Sequence, residues 1–280
     1  MDSRSYSEVC RKYCSAVARA FVLLAALIGL DLAAPGAQGA SRPRFAQPGD
    51  ISCILMLLTS DGTITAREPV IARLAIRNEL KEEIRIWPGG TYLDVYDANG
   101  KLLATMPRPR NVGDFAHSVR DLAPSEVYSK FLVVTGLYHF EVAGIYSVRV
   151  QQQGIPPEMS VLCEDVASVQ VLPYNAERLE AACEEIFAPI RKRAGFGTIP
   201  MTVRAKAILS VRDDVILPYL DWMAREWRDR YACRAMRRIG TPRAENLLAA
   251  LAARTDEAGE AARQALEMSL EPTAWDVEGE

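Results

Sequence analysis

The chain has 280 residues, 49% of them hydrophobic and 25% charged, which is room for two ordinary domains and the usage of a folded soluble protein. That composition excludes a disordered tail, a collagen-like fibre and a multi-span membrane protein. Its 33 basic and 36 acidic residues leave a net charge of −3, too near neutral for general nucleic-acid affinity, and two histidines, His117 and His139, thin the options for acid–base or metal chemistry.

Arg11, Lys12 and Arg19 precede an apolar run from Ala20 to Leu30, which Asp31 ends; small residues follow from Leu32 to Ala40. A basic region, an apolar core and a small-residue cleavage site describe a secretory signal peptide, with Ala37 and Gly39 suited to positions −3 and −1. A run that short, at about 1.5 Å per residue, cannot cross a hydrocarbon layer of about 30 Å. The expectation is that residues 1–39 are removed and the protein is secreted or periplasmic; the alternative is tethering through an uncleaved N-terminus. Removal takes away four basic and three acidic residues and leaves a net charge of −4.

Cys10 and Cys14 leave with that segment, and Cys53, Cys163, Cys183 and Cys233 remain. An even number of cysteines in an exported chain favours disulfides. Pairing Cys53 with Cys163 and Cys183 with Cys233 keeps each bridge within one proposed domain; four buried free thiols are the alternative. None of the four forms a CxxC pair, so a zinc knuckle or thioredoxin-like motif is not expected.

Residues 50–173 carry the period of two that marks strands. Val70, Ala72, Leu74 and Ile76 alternate with Ile71, Arg73, Ala75 and Arg77. Tyr92–Tyr96 and Lys101–Thr105 flank Asp97-Ala98-Asn99-Gly100, a hairpin signal, and Val127–Val134 follows a turn at Leu122-Ala123-Pro124-Ser125. With Ile51–Leu58, Glu83–Trp87, Gly144–Val150 and Ala167–Leu172, seven to eight short strands predict an antiparallel sandwich.

Two segments carry a resemblance. Glu68 to Asn78 (EPVIARLAIRN) resembles the second strand of bacterial immunoglobulin-like domains, a Pro-led strand ending in Asn. Val142 to Val148 (VAGIYSV) is similar to the penultimate strand of immunoglobulin and fibronectin-type sandwiches. There the tyrosine hydroxyl bonds back to nearby backbone, a role the resemblance gives to Tyr146. It implies a fold for about 120 residues and says little about function. Trp87-Pro88-Gly89-Gly90, the loop Met106–Asp114, His117 and His139 read as ordinary turn, loop and strand residues.

After Pro173 the period becomes helical. Leu179, Ala182, Cys183, Ile186 and Phe187 define a helix over Asn175–Ile190, Gly195–Pro200 reads as a linker, and short helices follow to about Leu270. Ala207-Ile208-Leu209, Ala235-Met236 and Ala265-Leu266 superpose with steps of about 28 to 30 residues. Ala235 to Leu251 (AMRRIGTPRAENLLAAL) resembles a short HEAT-like repeat, with Thr241 placed to cap the next helix and Pro242 at its first position; a small bundle is the alternative. A helix over Arg225–Arg238 would bring Arg230, Arg234 and Arg237 to one face, either as a basic ridge for an acidic partner or as a solvated face.

The fold expectation is therefore α+β in two domains: an antiparallel immunoglobulin-like β-sandwich over 50–173, a helical HEAT-like array over 174–272, and a flexible tail at 273–280. No nucleophile elbow, metalloprotease motif, P-loop or dinucleotide fingerprint occurs in the sequence. The carboxylate pairs Glu82–Glu83, Glu184–Glu185 and Asp213–Asp214 are sequence neighbours and point to different faces. No catalytic residue, cofactor or metal is expected. The reading is a non-catalytic exported protein whose partner is another secreted or envelope protein. A carbohydrate- or envelope-binding module using Trp87, Tyr92 and Tyr96 is the alternative, followed by a carboxylate-based hydrolase with a site between the domains.

Overall fold

Strand order, more than strand content, identifies the first part of the fold. The computed structural model describes residues 43–59, 61–103, 119–155, 160–193 and 199–268. The expected signal peptide, the Met106–Asp114 loop, His117, most of the 195–200 linker and the tail lie outside these residues. Ten strands are described: β1 (Arg44–Phe45), β2 (Ile51–Leu57), β3 (Thr63–Thr65), β4 (Ile71–Asn78), β5 (Ile84–Ile86), β6 (Thr91–Tyr96), β7 (Arg120–Leu122), β8 (Val127–Val133), β9 (Gly144–Gln153) and β10 (Val161–Leu172). One sheet runs β2-β4-β8, a second β3-β10-β9-β6, and a small third β1-β5-β7. With β2, β4 and β8 in the A, B and E places and β6, β9 and β10 in the C, F and G places, this is the division of an immunoglobulin-type sandwich.

Alternation does what the sequence promised. Ala72, Leu74 and Ile76 of β4 are buried while Arg73 and Arg77 face solvent. Strands of all three sheets contribute to one apolar cluster, including Leu55, Leu74, Ile84, Leu93, Leu122, Val148 and Val169. Tyr146 donates its hydroxyl to Val142 O at 2.8 Å, so the tyrosine corner is formed. Asn78, fully buried at the end of β4, donates through Nδ2 to Glu82 O, Leu122 O and Ala123 O and accepts from Leu80 N. It ties the end of β4 to the backbone just before β5 and at the end of β7.

The sandwich is not wholly antiparallel. β1 pairs with β5, and β3 with β10, in parallel. Neither pair is a hairpin, and β1 and β3 are only two and three residues long, too short for period two to register in the sequence. The strand expected over Lys101–Thr105 is reduced among the described residues to a bridge between Tyr96 and Leu102. The turn before it is as expected: Gly100 sits at φ +74°, and Asp97 Oδ1 accepts from Asn99 N and Lys101 N.

Six helices follow: α1 (Ala176–Arg191), α2 (Met201–Ser210), α3 (Leu217–Glu226), α4 (Arg230–Ile239), α5 (Pro242–Ala252) and α6 (Glu257–Glu267). Asn175, Asp229, Thr241 and Asp256 cap α1, α4, α5 and α6, each side chain accepting from a first-turn amide. The single helix expected over Arg225–Arg238 is broken. α3 ends at Glu226, Arg228 adopts φ +54°, and Asp229 restarts the chain as the cap of α4. An aspartate gains more from accepting the Tyr231 amide than from continuing a helix. The helices share a second apolar cluster around Leu179, Phe187, Ile208, Leu220, Met236 and Leu248. Pro43–Glu280 nevertheless forms one compact unit.

Candidate functional site

Two surface features follow from this framework. The first lies on β2, which pairs with β4 on one side only. Its inward Leu55 is buried, whereas Ile54, Met56 and the following Leu58 are 56%, 42% and 39% exposed. The other flank of β2 meets β10 through the Cys53–Cys163 disulfide and through Asp165 Oδ2, which accepts from Leu55 N at 2.7 Å. Val166, 52% exposed, follows that contact on β10. An edge strand with its apolar side chains turned outward is uncommon, because such edges invite pairing and are normally blunted with charge or proline.

The second feature is the junction of sheets and helices. Thr65 donates to Pro173 O and accepts from Asn175 N, fixing the chain as it leaves β10 for α1. Arg178 of α1 donates back to Thr63 O at 2.9 Å and pairs with Glu68 at 3.7 Å. Burial pushes the Glu68 carboxyl up, against the opposing pull of the Thr65 amide and the Arg178 charge. Further along, Thr135 Oγ1 and Ser210 Oγ lie 2.8 Å apart. Arg67 bonds Glu141 through Nε and Asp213 through Nη1, both at 3.1 Å. The segment 135–141 is thus clamped at both ends against 210–213. His139 and Arg212 lie between the clamps, and α4 packs on α2 beside them.

Burial holds His139 down to about 4, and the charges of Arg212 and Arg238 push the same way; Glu141 pulls against them. Arg238 is lowered to about 10 by burial together with the charges of Arg212 and Arg234. Elsewhere, the half-buried Lys130 of β8 donates to Pro88 O at 2.5 Å, and burial lowers its ammonium to about 8.

The residues singled out from the sequence fall into different places. Cys53 and Cys163 form the expected bridge. Cys183 and Cys233 do not pair: both are free and buried, on α1 and α4. Each fills its own position in the helical core, Cys183 one helical turn from Leu179 and from Phe187, and Cys233 between Ala232 and the Ala235-Met236 pair. Shared membership of one half of the chain does not bring two Cβ atoms within the short span a bridge demands. Burial raises both thiols, Cys233 to about 11 and Cys183 further, so both are poor nucleophiles.

Arg230, Arg234 and Arg237 all lie on α4. Arg230 and Arg234 place their guanidinium groups over the Tyr231 ring, 5.2 and 5.5 Å from its centre, while Arg237 pairs with Glu245 at 3.2 Å. Trp87 is nine-tenths buried and Tyr92 and Tyr96 are half-buried, so these three present no exposed aromatic platform. His139 lies in the loop before β9, not in a strand. Of the carboxylate pairs, Glu82 bonds Arg44, Glu184 bonds Arg191, Asp213 bonds Arg67, and Asp214 accepts from the Thr241 hydroxyl. Among the described residues no group of three metal-ligating side chains occurs, and no helix is long and apolar enough to cross a membrane.

The chain matches no known family and no curated protein. Among solved structures it is similar to a CARDB domain from Pyrococcus furiosus, crystallised with two metal ions, at 16% identity and a TM-score of 0.27, over 47% of this chain and 95% of that one. A mutant β-glucosidase from Listeria innocua in complex with laminaribiose matches at 14% identity and a TM-score of 0.27, over 44% of this chain but 16% of the enzyme. Native alpha-2-macroglobulin from Escherichia coli matches at 14% identity and a TM-score of 0.25, over 74% of this chain and 42% of that one. Likenesses this low assign no function, and the fold rests on the strand order itself.

Proposed function

We propose that this chain is an exported, non-catalytic module that binds another secreted or envelope protein. The observation that carries the reading is the outward apolar row Ile54, Met56 and Leu58 on a disulfide-anchored strand of the sandwich. Burying one such aliphatic side chain against a partner is worth about 1.5–3 kcal/mol. Export is supported by the Cys53–Cys163 bridge, a bond that oxidising compartments preserve. The HEAT-like reading of the helices is supported by the contacts of α2 with α4 and of α4 with α6, which set the proposed equivalent helices side by side, with α5 packed on both α4 and α6.

The test is affinity capture from the native envelope with the full chain as bait, beside an Ile54→Asp/Met56→Asp variant. The expected result is a specific protein retained by the wild type and lost by the variant, with thermal unfolding unchanged because both side chains are already exposed. Equal retention by both baits removes the apolar row from the binding surface. Retention of nothing specific, together with turnover of any substrate, overturns the reading in favour of an enzyme.

A further inference from the structure

We infer that the outward face of the β2-β4-β8 sheet docks an acidic segment of the partner protein, which presents an Asp or Glu carboxylate to Arg73 among aliphatic side chains. The inference rests on the adaptor reading and names the chemistry of the partner.

Strand register assembles the face. β2 pairs with β4 and β4 with β8, so Met56, Arg73 and Phe131 form one cross-strand row. Ile54, Ala75 and Ser129 form the next, and Ser52, Arg77 and Val127 the one after. Side chains at paired positions lie on the same side of a sheet, on strands about 4.8 Å apart. That side is the outer one, because Leu55, Leu74 and Ile76, which alternate with these residues, belong to the sandwich core. Ile54, Met56, Arg73, Arg77 and Val127 are exposed, and Ser52, Ala75, Ser129 and Phe131 are half-buried. The two cations therefore stand on the middle strand, with apolar side chains on the strands to either side.

Charge decides between occupants. Arg77 has Glu79 at 3.9 Å, a carboxylate that also accepts from the Ser52 hydroxyl. Arg73 donates through Nη2 to Ser129 Oγ at 3.1 Å, and among the described residues no carboxylate pairs with it. A guanidinium offers a fork of N–H donors that suits both oxygens of a carboxylate, and one bond to a hydroxyl leaves most of that fork unused. Met56 and Phe131 flank Arg73 across the strands, so a carboxylate seated there is shielded from water on two sides. An arginine ringed by apolar contacts is the usual anatomy of an interface hot spot. A second copy of the chain answers this charge poorly: pairing the face with itself sets the middle-strand arginines of the two copies together. A lipid surface suits the opposite layout, with apolar side chains at the centre and cations at the rim.

The test selects a displayed library of random short peptides on the full chain. The wild type is expected to enrich Asp and Glu together with aliphatic residues, and Arg73→Glu to enrich Lys and Arg instead. Peptides chosen by the wild type should bind Arg73→Glu, Arg73→Gln and Ile54→Asp/Met56→Asp at least about tenfold more weakly. Thermal unfolding is followed for each variant; should Arg73→Glu unfold, Arg73→Gln decides, since its amide can still meet Ser129. Acidic peptides that bind folded Arg73→Gln as tightly as the wild type overturn the inference. Aliphatic peptides without acidic preference, lost only by Ile54→Asp/Met56→Asp, also overturn it but leave the apolar row standing as a docking surface. Enrichment of no sequence overturns both. Wild-type sedimentation with phosphatidylglycerol vesicles that Arg73→Glu abolishes gives the face to lipid, and a concentration-dependent dimer that Ile54→Asp/Met56→Asp abolishes gives it to a second copy; either result overturns the acidic partner.

Discussion

Reducing the Cys53–Cys163 bridge tests the architecture most directly. The two cysteines are 110 residues apart, and the loop between them contains β3 to β9. Closing a loop of that length removes about 5 kcal/mol of chain entropy from the unfolded state at 25 °C. Measured bridges more often give about 2–4 kcal/mol, because the unfolded chain is never fully random. The sulfurs also sit partly buried against the sandwich core, so their reduction leaves two thiols where a bond had filled the space. We therefore expect urea unfolding, followed by tryptophan fluorescence, to show a stability lower by about 2–5 kcal/mol in the reduced protein or in Cys53→Ala/Cys163→Ala. Cys183 and Cys233 should not contribute to that loss, being unpaired in both forms. Non-reducing peptide mapping should link Cys53 to Cys163 and recover Cys183 and Cys233 as separate alkylated peptides after denaturation. An unchanged urea midpoint on reduction, or a Cys183–Cys233 linked peptide, would refute this reasoning.

Asn78→Asp should destabilise the sandwich by about 3–5 kcal/mol, since it replaces the amide that serves three carbonyls with a charge facing them; a urea midpoint equal to wild type would show that the knot is dispensable. Lys130→Met should raise stability at pH 7. The folded ammonium is lowered to about 8 against an ordinary value of 10.5, so the unfolded chain binds the extra proton between those values. Wild-type stability therefore climbs as pH rises from about 8 to 10.5, and at pH 7 the buried charge carries its full cost. Allowing for partial solvent access and for the lost bond to Pro88 O, the gain is about 1–2 kcal/mol. Melting curves at pH 7 and pH 10 check it, and a lower melting temperature at pH 7 counts against the burial argument.

Much of the sandwich was legible because strands announce themselves locally. The Ala72, Leu74 and Ile76 row, the Asn99-Gly100 turn and the Gly144–Val150 motif all act within a few residues, and each is found where the sequence put it. The cap at Thr241 was legible for the same reason. Short elements were lost: β1, β3 and β7 span two or three residues and owe their pairing to distant partners. The helix break at Arg228 was hidden by arginines that favour a helix on either side, while Asp229 decided the matter through a single amide.

The amino-acid order alone determined most of the longer strands and helices and which of their faces turned inward, because hydrophobic period and capping chemistry are short-range. Which side chains met across the chain was decided only in three dimensions. Cys53 found Cys163 while Cys183 and Cys233 stayed apart, and Arg67 came to bond both Glu141 and Asp213 from separate segments. The physical reason is range: such meetings depend on how packed layers are offset and clamped, and contacts like Thr135 to Ser210 and Arg67 to Asp213 leave no periodic trace in the sequence.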